Sequence, residues 1–347
     1  MEIIKIDGSY LEGGGQMLRT ALALSLITKK PFNIYNIRKN RPNPGLKNQH
    51  LQAINTILKL SKSKAENVFL GSEEITFFPG EYKGGSLNVD IGTAGSITLL
   101  LQAIMLPAMF LKKTKLTITG GTEVSFSPTI DYFKNVLLFY YKKYCEIELK
   151  IKKRGYYPKG KGIVEIKTKP LNTDVKNLKP LILDKKPESY DVLGISTASN
   201  DLINKRVAER QKIAAENLIF NELQIKPTIT VEYNSSESTG SSITLWASGK
   251  IKDDFLDNIV LGSDSLGAKG ISAEQVGIKA ASNLVSEIRK GVIDKFLADQ
   301  LVPLLGIVGG CLKTSEITNH AETNVFVTNL FLDRKLKIEE NTIKSEY

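Results

Sequence analysis

The chain has 347 residues, 41 % of them apolar, enough for one large or two ordinary globular domains with a real core. Forty-seven Lys plus Arg against 37 Asp plus Glu leave a net charge of +10, which suits a polyanionic partner such as nucleic acid, although net charge alone favours a lysine-rich solvated surface. Two cysteines, Cys145 and Cys311, exclude a disulfide framework, the start at Met1-Glu2 lacks signal-peptide features, and the longest apolar run (97–111) is broken by Gln102 and Pro107, so a soluble cytoplasmic protein with no membrane partner is expected.

In chain order, a short apolar strand over 2–6 (Ile3, Ile4, Ile6) leads through Gly13, Gly14 and Gly15 into a helix over 16–27 with an apolar stripe at Met17, Leu18, Ala21, Leu22 and Leu24. Free N–H groups at such a helix start attract anions, although glycine there also serves as a plain tight turn, and the spacing matches neither dinucleotide nor P-loop fingerprints. A strand over 32–37, the segment RKNRPNPGLKNQH (38–50), a helix over 47–61 and strands near 68 and 75 follow. A second copy of this unit begins at LNVDIGTAGS (87–96), with helices over 96–110 and 128–144 and strands over 115–119, 146–152 and 162–167. A third copy is entered late, at GAKGISAEQVGIKAASNLV (267–285), whose helix follows Gly270.

The late entry implies an insertion of about 95 residues, within normal domain size, unless the segment marks two domains in tandem. It is placed at 179–269, leaving 1–178 and 270–347 as one large repeat domain. The inserted stretch carries a strand at 190–197, a helix at 207–222, strands at 228–233 and 242–248, and the polar loop NSSESTGSS (234–242). The layout is α+β, with helices on one face of each small sheet.

Only two histidines exist, His50 and His320. His320 lies in EITNHAETNVFVTNL (316–330), read as the start of an alternating strand through Val325 and Val327 that projects a side chain into a cleft. LADQLVP (297–303) sets Asp299 and Gln300 in an apolar helical stretch, as a wet face or a ligand contact. Gln102 sits among apolar neighbours and needs partners for its amide. Glu12 is the carboxylate nearest the glycines.

Together EGGGQMLR (12–19), RKNRPNPGLKNQH, GSITLLLQAIMLP (95–107), GGTEVSFSP (120–128), RGYYPKGKG (154–162), LADQLVP and the His320 segment with Thr323-Asn324 resemble, in order, the RNA 3′-terminal phosphate cyclase family. The likeness extends from residue 1 to about 332; the inserted stretch matches only at VAERQ (207–211) and TLWA (244–247). It implies three βαβαββ-type units like the C-terminal domain of translation initiation factor three, plus a small inserted α/β domain. It also implies a ligase-class, ATP-dependent conversion of an RNA 3′-phosphate end to a 2′,3′-cyclic phosphate, releasing AMP and diphosphate.

By the same resemblance, His320 attacks the α-phosphate of ATP. A neutral imidazole, favoured at pH 7, is nucleophilic through one nitrogen when the other is pinned, and covalent transfer splits one hard step into two. The AMP then passes to the RNA 3′-phosphate, and the neighbouring 2′-hydroxyl displaces it. Gln102, Asp299 and Gln300 belong to the nucleotide pocket, with Pro128 and Phe296 flanking the adenine; Phe296 stands where tyrosine is common, which preserves stacking but not a phenolic hydrogen bond. Glu12 falls at a divalent metal, Mg or Mn, beside the triphosphate. Arg19, Arg38 and Arg41 face the RNA phosphates, with Gln49 and His50 beside them; for His50, helix-surface packing is the other option. Glu123 replaces the usual aspartate, which weakens any role for that carboxylate. The 154–162 loop is either a nucleic-acid contact or a solvated hairpin. The rival readings are a non-catalytic cyclase-like RNA-binding protein of ribosome assembly, whose relatives lack the nucleophilic histidine, and an enolpyruvyl transferase, which shares only the repeat pattern.

Overall fold

The computed structural model describes residues 2–11, 13–171, 177–252 and 255–346. The first unit comprises β1 (Ile4–Asp7), α1 (Gly15–Thr28), β2 (Phe32–Tyr35), α2 (Asn48–Leu60), β3 (Lys64–Glu66) and β4 (Ile75–Phe78). The second comprises β5 (Gly85–Asp90), α3 (Ile97–Phe110), β6 (Thr114–Gly120), α4 (Ile130–Tyr132), a π-helical stretch (Phe133–Leu137), α5 (Leu138–Tyr141), β7 (Cys145–Lys153) and β8 (Gly162–Pro170). After β9 (Leu181–Leu183) the chain leaves for β10 (Asp191–Ser199), α6 (Val207–Leu223), β11 (Thr228–Asn234), β12 (Ser241–Lys250), β13 (Asn258–Leu266) and α7 (Ala273–Lys290). It then returns through α8 (Lys295–Val308), β14 (Gly310–Lys313), α9 (Asn319–Phe331), β15 (Leu336–Glu339) and β16 (Thr342–Ser345).

The strand orders reveal the repeat. They run β1-β2-β4-β3, β5-β6-β8-β7 and β9-β14-β16-β15. In each, the first two strands are parallel and the other pairs antiparallel, so one βαβαββ unit is built three times. The remaining sheet, β11-β10-β12-β13, follows a different order.

Two expectations shift. The helix after Gly270 was expected to open the third unit, but α7 packs on α6 and the β11-β10-β12-β13 sheet: Val276, Ala280, Ala281, Leu284 and Val285 share a core with Ala215, Ile219, Ile243 and Leu245. The matching helix of the third unit is α8, which joins the main core through Leu297, Leu301 and Leu305. Strand β9, within the stretch expected to be inserted, pairs with β14. An apolar stripe dictates that a helix buries one face, but not which sheet receives it.

Helix α1 is buried along most of its length, from Met17 to Leu26, because Leu and Ala occupy nearly every side of it. It touches α2, α3 and α9, and α9 touches α8, so the five helices carrying expected site residues meet around it. Among the described residues, no helix is long and apolar enough to cross a membrane.

Candidate active site

His320 lies in the first turn of helix α9, not at a strand start. The Val325–Val327 alternation that suggested a strand belongs to a helix rich in β-branched residues, whose Ala321, Asn324, Val325 and Thr328 are buried at helical spacing. Thr318 is the N-cap: its hydroxyl accepts from the Ala321 N–H at 3.0 Å and donates to Asp299 Oδ1. Asp299, buried on α8, also accepts at its backbone carbonyl from Asn324 Nδ2 at 2.6 Å, and Asn324 Oδ1 accepts from the Thr20 hydroxyl of α1 at 2.8 Å. Thus Asp299 fixes the start of the helix carrying His320 and ties it to the glycine-led helix α1. Thr20 and Thr318 escaped sequence reading; the threonine two residues before His320 was an available N-cap signal.

The glycines bring the other groups in. Gly14, the N-cap of α1, makes no side-chain cap, and a methyl placed on it would lie 3.8 Å from both His320 Cε1 and Arg41 Nη2. Gln16 Nε2 donates to the His320 carbonyl at 3.4 Å. His320, Arg41 and the N-terminus of α1 therefore share one cleft, with the positive end of a helix opening into it.

His50 stands behind this loop. It is 4 % exposed, its Nδ1 accepts from the Lys47 N–H at 3.0 Å, and its Nε2 faces Gly15. Burial, then the positive charges of Arg19, Arg38 and Lys47, hold its pKa down to about 3, so the ring is neutral at pH 7 with its proton on Nε2. His50 is thus packed, with Arg19, Arg38 and Lys47 around it. Arg38, with a left-handed backbone, donates through Nη1 to the carbonyls of Asn43 and Gly45 at 2.8 and 3.0 Å, holding the Pro-Asn-Pro-Gly turn. Burial and the neighbouring charge of Arg41 lower its pKa. Gln49 lies beside it on α2, its Cβ 3.5 Å from a methyl placed on Gly95.

The Gln102 amide finds its partners across three helices. Arg19 Nε donates to its Oε1 at 3.2 Å, its Nε2 donates to Gln300 Oε1 at 3.0 Å, and Gln300 Nε2 donates to the Phe296 carbonyl at 2.9 Å. Burial lowers the pKa of Arg19 to about 10, which leaves it cationic at neutral pH. One turn before Gln102 on α3, Thr98 donates to the Pro128 carbonyl at 2.9 Å. One turn before Gln300 on α8, the Phe296 ring is 53 % exposed, with Lys295 Nζ 5.7 Å from its centroid. The glutamine pair thus links α3, whose Thr98 holds the Pro128 carbonyl, to α8, which carries Phe296.

Glu123 is buried and paired with Arg154 at 2.7 Å, a structural position. Glu12 lies outside the described residues, and among those described no group of three or more His, Cys, Asp or Glu could hold a metal ion.

Residues 10–338 match the family model described as RNA 3′-terminal phosphate cyclase. A Pyrococcus furiosus protein named RNA 3′-terminal phosphate cyclase is 48 % identical over 341 residues, covering 97 % of this chain and 95 % of its own length. Proteins of the same name from Methanosarcina mazei and Archaeoglobus fulgidus are 43 % and 42 % identical, covering 97 % and 98 % of this chain and 97 % and 99 % of their own lengths. With its threefold βαβαββ frame, its glycine-led helix and its ordered motifs, the chain belongs to the RNA 3′-terminal phosphate cyclase family.

Proposed function

We propose that this protein converts an RNA 3′-phosphate end to a 2′,3′-cyclic phosphate with ATP as co-substrate, through an AMP carried on His320. An imidazole nitrogen of His320 bonds to the α-phosphorus of ATP as the bond to diphosphate breaks. A 3′-phosphate oxygen then takes the AMP, giving an RNA(3′)pp(5′)A end and restoring the imidazole. The ribose 2′-hydroxyl attacks the activated phosphorus, loses its proton, and expels AMP. The observation carrying this reading is the convergence of His320 and Arg41 on Gly14, at the uncapped N-terminus of α1, where phosphate is electrostatically favoured.

In this reading Gln102, Asp299 and Gln300 line the nucleotide pocket, and Pro128 and Phe296 flank the adenine. Arg19, Arg38, Arg41, Gln49 and His50 receive the RNA 3′-phosphate, His50 as a neutral Nε2–H donor. A divalent Mg or Mn ion would take phosphate oxygens and the carboxylate of Glu12, supplying charge neutralisation at the triphosphate. The inserted domain runs from β10 to α7, and the cytoplasm is the working compartment.

Incubation with α-labelled ATP and a divalent metal tests the reading. The wild type should become labelled in an acid-labile, alkali-stable bond, and His320→Ala should not. Full labelling of His320→Ala, or none of the wild type across several metals, would favour an RNA-binding protein without nucleotide transfer.

A further inference from the structure

The 154–162 loop is neither a free hairpin nor wholly buried. Its base is locked: Arg154 reaches Glu123 and Asp131 of the second unit at 2.7 and 2.6 Å and Glu232 of strand β11 at 2.8 Å. Tyr156 is buried, its hydroxyl 3.3 Å from Thr197 Oγ1 and accepting from Asn234 at 3.2 Å, and the Lys159 N–H donates to Ser238 Oγ at 3.1 Å. Four of these supports, Glu232, Thr197, Asn234 and Ser238, come from the inserted domain. The tip, by contrast, presents Tyr157, 74 % exposed, with Lys159 and Lys161.

Between this tip and the glycine loop that leads into α3 lies a cleft of about 720 Å³, lined by Gly92, Thr93, Lys153, Lys159, Lys161 and Glu237 among others. The 92–96 loop joins this cleft to the site already described: a methyl on Gly95 would lie 3.5 Å from Gln49 Cβ, and a methyl on Gly160 would come within 2.8 Å of Ala94 Cα, so the start of α2 and the 154–162 loop both pack on it. The carboxylates present are held by exposed pairs, Lys153 with Glu237 at 2.9 Å and Lys161 with Asp90 at 3.4 Å. Such solvent-exposed pairs contribute little and exchange readily for a phosphate.

We propose that this lysine cleft holds the single-stranded RNA upstream of the 3′-terminal phosphate, with the inserted domain serving as the buttress of its outer wall. The inference rests on the reading that the 3′ end sits at the arginines. Lys153, Lys159 and Lys161 contact the backbone without sequence preference, and Tyr157 offers a face on which a base can stack. Arg154 and Tyr156 are positioning residues, since they hold the loop and lie buried beneath it.

Fluorescence anisotropy with 3′-phosphorylated oligonucleotides of about three and about twelve nucleotides tests this across a salt series. The wild type should bind the longer strand about tenfold or more tightly, with a steeper salt slope. The triple variant Lys153→Gln, Lys159→Gln, Lys161→Gln should lose that length advantage and flatten the slope for the longer strand by about two, at 0.7 per lysine. Its self-adenylylation and short-strand binding should stay at wild-type levels, and three Lys→Arg changes should restore the length effect. Lys159→Glu alone, at an exposed position, should act in the same direction as the triple variant. Equal wild-type affinity for both lengths, or a triple variant that keeps the advantage, overturns the cleft. Because binding needs no turnover, lysine-dependent length discrimination in a protein that never takes AMP would sink the catalytic reading and leave the cleft standing.

Discussion

The imidazole of His50 is wedged against the backbone of Gly15: a methyl on Gly15 would come within 2.1 Å of Nε2 and 2.9 Å of Cε1. At Gly14 the same methyl would meet nothing closer than 3.8 Å. Adjacent glycines therefore have opposite tolerance. Gly15→Ala must push the ring off the loop, with an overpacking loss of about 1–3 kcal/mol, whereas Gly14→Ala should melt like the wild type. Its added methyl instead narrows the cleft beside His320 and Arg41, so labelling by ATP should fall without loss of fold. Equal melting temperatures for the two variants would show that His50 is not held as described.

Acid stability follows from the same ring. In the unfolded chain His50 titrates near its ordinary value of about 6.5, while in the folded protein burial and three nearby cations hold it down to about 3. Between those values the unfolded chain binds the extra proton, so stability is full above about pH 6.5 and declines as pH falls. This group alone contributes a slope approaching 1.4 kcal/mol per pH unit in that window. Denaturant unfolding at pH 7 and pH 5 should show a smaller loss in His50→Gln than in the wild type. Identical losses would mean that another group carries the acid sensitivity.

Asp299 and Thr318 form a second testable couple. The carboxylate accepts from the hydroxyl that caps α9, while the carbonyl of Asp299 accepts from Asn324. Loss of an N-cap costs about 0.5–2 kcal/mol. Thr318→Ala should lie in that range, and adding Asp299→Ala should cost less than the sum of the single changes, because the shared bond is already gone. Asp299→Ala should also depress labelling of His320 before any RNA is added. Strict additivity in a thermodynamic cycle would remove the link between the carboxylate and the cap.

The first two sheet units were legible because each opens with a short apolar strand, a glycine loop and a periodic helix, features set by local spacing; the third is split after β9 by the β10–α7 stretch. The assignment of Ala273–Lys290 was not legible, since its stripe of Val276, Ala280 and Leu284 fits any apolar sheet, and the β11-β10-β12-β13 sheet claims it only in three dimensions. His320 was picked out by its neighbours in the chain, yet its setting was misread, because Val325 and Val327 favour strands intrinsically and only burial against α1 and α8 makes them helical. The Gln102–Gln300 bond spans 198 residues, and no local pattern announces such a pair.

The two arginines of the 38–41 turn separate support from substrate contact. Arg38 donates to the carbonyls of Asn43 and Gly45, so Arg38→Ala removes two bonds that shape the turn. It should lower thermal stability as well as slow transfer to a 3′-phosphorylated oligonucleotide. Arg41 reaches the Gly14 cleft beside His320. Losing one charge-assisted phosphate contact there is worth about 1.5–3 kcal/mol, or roughly ten- to a hundredfold. Arg41→Ala should therefore slow AMP transfer to RNA by that factor, with self-adenylylation retained and a flatter salt dependence of RNA binding. Single-turnover assays of the two half-reactions separate the outcomes. Equal loss of both in Arg41→Ala would move this guanidinium from the RNA phosphate to the triphosphate of ATP, leaving Arg19 and His50 as the groups that receive the 3′ end.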